Sequence, residues 1–363
     1  MSVWFILFYF LINKGEKMKK IILMGLLPVL MIAIASSNAI GQVKVLKLGT
    51  TGRLGMPIGD AIQKALIPTV ESVSGGKLKI EPFYRKSLCA EHKCGEQANQ
   101  GLIALWTVST ANYGSFGTAL SIFDLPYIFK SIEDADRITN SWLGIVQSEI
   151  AAQTTGHIPL AIYSSGGFRQ LGNATRLVRS PKDMKGMKWR VTKSPIEYTL
   201  IKAWGGVPVP YGWGQLYQGL QSGVVEGQYV AIPWQEVAKL HEVTKYYTEI
   251  GGSWSGNVLA MDKAQWDKLS AREKQWLREG AAAFGKAVGD FDRKWVQQGT
   301  TAIKKQIKEW YVPNEAEMAE WRKGAIGAWK NAKGTFDPAK AERVLAEQNL
   351  YDFIDALKEA GAL

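Results

Sequence analysis

The chain has 363 residues, 46% hydrophobic and 21% charged, with a formal net charge of +11, two cysteines and three histidines. That length exceeds what a single core normally fills and leaves room for two domains. The composition is that of a globular protein, and the lysines and arginines are scattered among acidic residues without a run of five. This argues against nucleic acid as a partner and suits an anionic ligand or an anionic cell surface.

Met1 to Ile12 is nearly all apolar, Lys14-Gly15-Glu16-Lys17 interrupts it, and a second apolar run extends from Ile21 to Ala35. Met18-Lys19-Lys20, that second run, and small residues at Ser37-Asn38-Ala39 or Ala39-Ile40-Gly41 form the three regions of a secretory signal peptide. Residues 1–41 therefore read as an N-terminal extension and cleaved signal peptide, with translation starting at Met18 and a periplasmic product. Cleavage would remove Lys14, Lys17, Lys19, Lys20 and Glu16, so that +11 falls to +8. Beyond position 41 no apolar run of about 18 residues remains, so the mature chain is not expected to span a membrane.

Val43 to Thr50 alternates as a strand, Pro57 to Val73 has helical spacing and stops at Ser74-Gly75-Gly76, and Lys77 to Phe83 reads as a second strand. Between the first strand and that helix, Gly49-Thr-Thr-Gly52-Arg-Leu-Gly55 lacks the spacing of a phosphate loop and reads as a loop facing a cleft. Cys89 and Cys94 have four residues between them, which in an exported chain favours a disulfide over free thiols. Further strands are expected at Leu102–Thr110, Pro159–Ser164, Met187–Thr192, Val225–Ala231 and Asn257–Asp262. From Lys263 the pattern turns helical, over Lys263–Val288, Asp290–Trp310, Glu315–Lys333 and Pro338–Ala360. Strands alternating with helices predict an α/β fold with a helix-rich C-terminal third and a ligand cleft at strand ends.

His92, His157 and His241 are isolated, with no second ligand at metal-site spacing, and Gly251-Gly-Ser-Trp-Ser-Gly256 lacks the order of a nucleophile elbow. The sequence thus predicts no metal, no cofactor and no enzyme activity. The informative stretch is Gly186 to Gln228. It opens on Gly-Met-Lys-Trp-Arg190-Val and closes on Tyr217-Gln-Gly-Leu-Gln-Ser-Gly-Val-Val-Glu-Gly-Gln228. A guanidinium at the end of a short strand can grip a carboxylate through two parallel hydrogen bonds, and Tyr211, Trp213, Tyr229 and Trp234 are placed to wall such a site. An internal salt bridge from Arg190 to Asp183 or Glu197 is the competing reading.

Several blocks in fixed order resemble the C4-dicarboxylate-binding type of solute-binding subunit from tripartite ATP-independent periplasmic (TRAP) transporters. They are Lys47-Leu-Gly-Thr, Ser74-Gly-Gly-Lys77, Leu125-Pro-Tyr-Ile-Phe129, Gly167-Phe-Arg169, Ser180-Pro-Lys-Asp-Met-Lys-Gly-Met-Lys-Trp-Arg-Val191, Pro208-Val-Pro-Tyr211, Leu220-Gln-Ser-Gly-Val-Val-Glu-Gly-Gln228 and Leu259-Ala-Met-Asp-Lys-Ala-Gln-Trp-Asp-Lys-Leu269. The resemblance implies a two-domain periplasmic binding protein fold with a hinged cleft. The expected division is 43–166 plus about 255–295 for one domain and 167–254 plus about 296–363 for the other. It also implies capture of a small organic acid, delivery to TRAP membrane permease subunits, and action as a monomer. A receptor serving a sensor kinase, or a periplasmic enzyme acting on carboxylates, is the alternative.

By motif position Arg190 matches the family's carboxylate-clamping arginine, Arg169 a second basic group, and Trp213 an aromatic beside the ligand. Tyr113 follows a strand expected to end at the cleft; Gln228 and Tyr229 lie on a second cleft strand, where only alternate side chains can face the ligand. Tyr211 and Trp254 complete the expected site. Glu226-Gly-Gln-Tyr229-Val230 departs from the family's usual Asp-Gly-Gln-Glu-Asn, Gln215 stands where Glu is common, and Cys89 to Cys94 replaces a Gly-rich turn. These changes make the site more aromatic and less polar, favouring smaller or flatter carboxylates, including keto acids and aromatic acids, over sugar acids.

Overall fold

The computed structural model describes residues 43–363, so the expected signal peptide lies outside the described residues. Ten strands are described: β1 (Lys44–Gly49), β2 (Leu78–Phe83), β3 (Leu105–Ser109), β4 (His157–Asn173), β5 (Lys188–Val191), β6 (Val207–Pro210), β7 (Gly227–Ala231), β8 (Tyr246–Thr248), β9 (Trp254–Asp262) and β10 (Glu309–Tyr311). They follow the order β2-β1-β3-β9-β4-β7-β5-β6, with β8 beside β4 and β10 beside β8. β1/β3, β5/β6 and β5/β7 are parallel, whereas β9 and β4 run antiparallel to their neighbours.

β4 belongs to both halves of this sheet. Residues 157–164 pair with β9, whereas 169–173 pair with β7 and 171–173 also with β8. The register shifts between Ser164 and Phe168, where Gly166 and Gly167 have φ of 93° and 74°. Side chains rarely tolerate that backbone region, and a Cβ at Gly166 would also meet the Cβ of Ala231 at 3.0 Å. The bend is locked from outside by Asp292, whose carboxylate accepts from Gly166 N and Ser164 Oγ, both at 2.7 Å.

Asp292 projects from a single 34-residue helix, Ala271–Lys304. The sequence pattern had suggested two helices meeting near Gly289, but the ladder continues, because the buried positions Phe284, Val288, Asp292 and Trp295 keep one stripe against β4. A Ser270–Glu273 capping box starts this helix. The expected C-terminal helix 338–360 is instead two, Pro338–Ala346 and Tyr351–Glu359, separated where Asn349 takes a positive φ. Both pack into a core containing Phe123, Ile138 and Leu143. A second core joins Leu48, Ile62, Leu105 and Phe284, and a third joins Leu171, Trp189, Trp204, Tyr229 and Trp321.

Strands β6 and β8 carried no clear signal in the sequence, and β10 falls at the end of the expected helix Asp290–Trp310, which instead stops at Lys304. β6 reads Val-Pro-Val-Pro and pairs only with β5, an edge position that tolerates proline, whereas β8 and β10 are three residues each. No helix among the described residues is long and apolar enough to cross a membrane.

Candidate functional site

β5 sits between β6 and β7, and its alternation sends Trp189 into one core and Arg190 to the opposite face. Arg190 is 3% exposed. Its Nε donates to the backbone carbonyl of Tyr211 at 2.9 Å, and its guanidinium lies 5.8 Å from the Trp213 ring centre. Among the described residues it makes no ion pair. Burial pushes its pKa down to about 10, against the opposite pull of Glu197, so it remains a cation at neutral pH.

Arg169 occupies a different position energetically. It begins the second half of β4, and its Nε lies 3.1 Å from Glu197 Oε1, with both side chains almost fully buried. The contact is an ion pair without an aligned hydrogen bond, so Oε1 keeps accepting capacity. Glu197 Oε2 accepts from Thr192 N and Thr192 Oγ1, both at 2.8 Å, and Arg169 Nη1 donates to Tyr229 O at 3.3 Å.

Arg190, Arg169 and Trp213 line one cavity that opens to solvent. Thr192, Val230 and Trp234 complete their side. The facing wall comes from the other half of the sheet: Glu91 in the loop between β2 and β3, Ser109 at the end of β3, Asn112 just after it, and Ser255 and Asn257 on β9. Trp234 meets Trp213 edge to face at 5.8 Å and donates to Ser165 O at 3.1 Å. The wall is therefore aromatic and polar together, with charge of both signs.

Five residues expected at the site do not line this cavity. Tyr113 is buried in the core, stacked on Trp106, with its hydroxyl bonded to Thr155 at 2.6 Å; its neighbour Asn112 reaches the cavity instead. Trp254 packs against Phe123 and Phe129, and Ser255 takes the lining position. Tyr229 points into the core against Trp204. Gln228 is on the Arg190 side of the sheet but is tied to Gln235, so Val230, two residues on, contributes the side chain. Tyr211 supplies its carbonyl to Arg190 while its ring packs over Gly219. The glycine-rich loop after β1 also lies outside this cavity.

Glu91, Ser109, Asn112, Thr192, Ser255 and Asn257 were not marked in the sequence, because isolated polar residues in loops and strand ends carry no periodic signal. The expected Cys89–Cys94 disulfide is present and closes the loop that holds Glu91. No cluster able to hold a metal ion is found among the described residues.

The family model for bacterial extracellular solute-binding protein, family 7, matches residues 48–335. The chain belongs to this family. A solute-binding protein of Verminephrobacter eiseniae is 30% identical to this family 7 protein over 62% of this chain and 68% of its own length. The C4-dicarboxylate-binding periplasmic protein of Rhodobacter capsulatus is 26% identical over 76% and 80%. Among solved structures, a TRAP periplasmic solute-binding protein of Bordetella bronchiseptica, with density interpreted as pantoate, is 26% identical. It superposes with a TM-score of 0.76 over 83% of this chain and 98% of its own. A sugar-acid-binding protein of Advenella mimigardefordensis in complex with galactonate shares the fold, at 22% identity, TM-score 0.77, and 88% and 99% coverage. The fold expected from the sequence, an α/β periplasmic binding protein fold, is the one these structures have.

Proposed function

We propose that this TRAP-type solute-binding protein captures a small organic acid by pairing its carboxylate with Arg190. The observation that carries this reading is a guanidinium 3% exposed, facing a cavity, with no ion pair among the described residues. A buried cation is costly until an anion joins it, and a ligand carboxylate can take both remaining faces of the guanidinium fork. Arg169 cannot serve in the same way, since Glu197 already balances its charge. It contributes positive potential and position.

The two sides of the cavity come from the two halves of the sheet, which we assign as lobes meeting at Gly166-Gly167. The helices at 338–359, expected from the sequence in the second domain, share a core with β3 and β9, so we assign them to the lobe that holds those strands. A ligand touching both walls favours the closed arrangement by its extra contacts there, and closure is what a membrane permease would recognise. Val230 stands where the family commonly has asparagine, and Trp213 and Trp234 flank the guanidinium, features suited to compact or flat acids. The relative named for C4-dicarboxylate binding, and the structure interpreted with pantoate, support an organic acid as ligand. The protein acts as a carrier without turnover, exported to the periplasm and delivering its cargo as a monomer.

The test is calorimetry of small carboxylates on the mature protein, guided by mass spectrometry of acids that co-purify with it. Arg190→Ala is expected to weaken binding by about 2–5 kcal/mol, and Arg190→Lys, which keeps the charge but loses the fork, by less. Unchanged affinity in a folded Arg190→Ala protein would overturn the assignment, and a chemically altered acid after incubation would overturn the carrier reading.

A further inference from the structure

The wall opposite Arg190 carries an acid, an unexpected group in a site for anions. Glu91 is half-buried and lines the cavity. Its Oε2 is held from behind by three donors: Ser109 N and Ser109 Oγ at 3.3 Å, and Asn112 Nδ2 at 3.1 Å. No protein donor engages Oε1 among the described residues. Glu91 is close enough to Arg190 to raise its basicity, yet the two form no ion pair. Two opposite charges thus face one cavity across a gap.

The backbone shows that this placement is enforced. Glu91 has φ 51° and ψ −132°, a region that L-residues adopt only at a cost. It sits inside the ring closed by Cys89–Cys94, and Cys94 is fully buried. The covalent closure pins the loop between β2 and β3 while the helix His92–Asn99 begins directly after Glu91.

Building on the carboxylate reading, we propose that Glu91 is the second polar contact of the ligand, accepting a hydrogen bond from a hydroxyl or ammonium group on the same acid. The ligand class narrows to hydroxy or amino carboxylates. A plain or keto acid would leave a half-buried carboxylate facing the ligand with nothing to accept from, and two acceptors would repel. Asn112 couples this contact to closure, since its Oδ1 accepts from Lys193 N of the other half at 3.3 Å while its amide holds Glu91.

The experiment is calorimetry with three matched triads: propanoate, lactate and alanine; succinate, malate and aspartate; phenylpropanoate, phenyllactate and phenylalanine. In the triad that fits, a donor-bearing member is expected to bind about tenfold or more tightly than the unsubstituted acid, the scale of a hydrogen bond to a charged group. Glu91→Ala should erase that preference, weakening the donor-bearing acid and relieving the penalty on the unsubstituted one, and Glu91→Gln should keep a hydroxyl acid but lose an ammonium acid. Equal affinities within every triad, untouched by Glu91→Ala, overturn the proposal. Binding that responds to Glu91→Ala but survives Arg190→Ala overturns the carboxylate clamp alone, and no binding by any of the nine acids overturns both. The double variant Cys89→Ser/Cys94→Ser is expected to lose the preference as Glu91→Ala does; full retention would remove the disulfide from the proposal.

Discussion

Arg169, in the wall of the cavity, and Glu197 neutralise each other at 3.1 Å, while Arg190 in the same wall has no ion pair among the described residues. Glu197 is one of the two acids that the sequence offered as an internal partner for Arg190. It is coupled to Arg190 electrostatically, but its contact is with the other arginine. Glu197→Ala should therefore damage the fold more than the ligand contact. The expected loss is about 3–5 kcal/mol in urea unfolding, the cost of stranding one member of a buried pair. The double change Arg169→Met/Glu197→Leu should recover much of it, and a double variant no more stable than the single would contradict this account.

Trp213 stacks its face toward Arg190 yet is only half-buried, so it matters more to the guest than to the core. Trp213→Leu is expected to weaken carboxylate binding by about 1 kcal/mol through the lost cation–π contact and aromatic wall. Thermal unfolding should shift little. Titration calorimetry beside a melting curve separates the two effects.

Burial raises the Asp292 carboxyl to about 6, despite the hydrogen bonds from Ser164 and Gly166. Between pH values near 4 and 6 the unfolded chain surrenders this proton while the folded chain keeps it, so the group's contribution to stability falls as pH rises through that window. Asparagine imitates the protonated acid. Asp292→Asn should match wild type near pH 4 and exceed it above pH 6, read from urea midpoints at both values.

His157 has the opposite sign. It is fully buried among Trp106, Tyr113 and Phe116, neither ring nitrogen has a hydrogen-bond partner among the described residues, and burial lowers its pKa to about 4. Its contribution is intact above pH 6.5 and is lost as pH falls toward 4, because only the unfolded state takes up the proton readily. His157→Leu should flatten that acid-side loss, by on the order of 2 kcal/mol between pH 7 and 4. An unchanged pH profile would show that the imidazole is not the group titrating.

Much of the frame was legible in the sequence. Strands β1, β2, β3, β5 and β7 announced themselves by alternation, and the motif around Gly186–Val191 put Arg190 at the end of a short strand, with the family resemblance favouring a ligand over an internal salt bridge. Arg169 and Trp213 likewise reached the cavity. Legibility failed where aromatic residues had to be sorted between wall and core. Tyr229 and Trp254 lie one position away from Val230 and Ser255 on strands, where a shift of one residue reverses the face, and Tyr113 follows Asn112 in a short helix, where one step also turns the side chain to another side. It failed also for Glu91: the Cys89–Cys94 spacing announced the closed loop, but nothing in the chain showed that Ser109 and Asn112 would hold its carboxylate at the cavity.

β4 is a member of both half sheets, and the helix Ala271–Lys304 packs along its length and clamps its bend through Asp292. Neither lobe could be excised as an autonomous fragment, since a cut at 165–167 would deprive one partner sheet of its central staple and the helix of its footing. The two half sheets are in this sense one cooperative unit, joined through a shared strand and a shared helix.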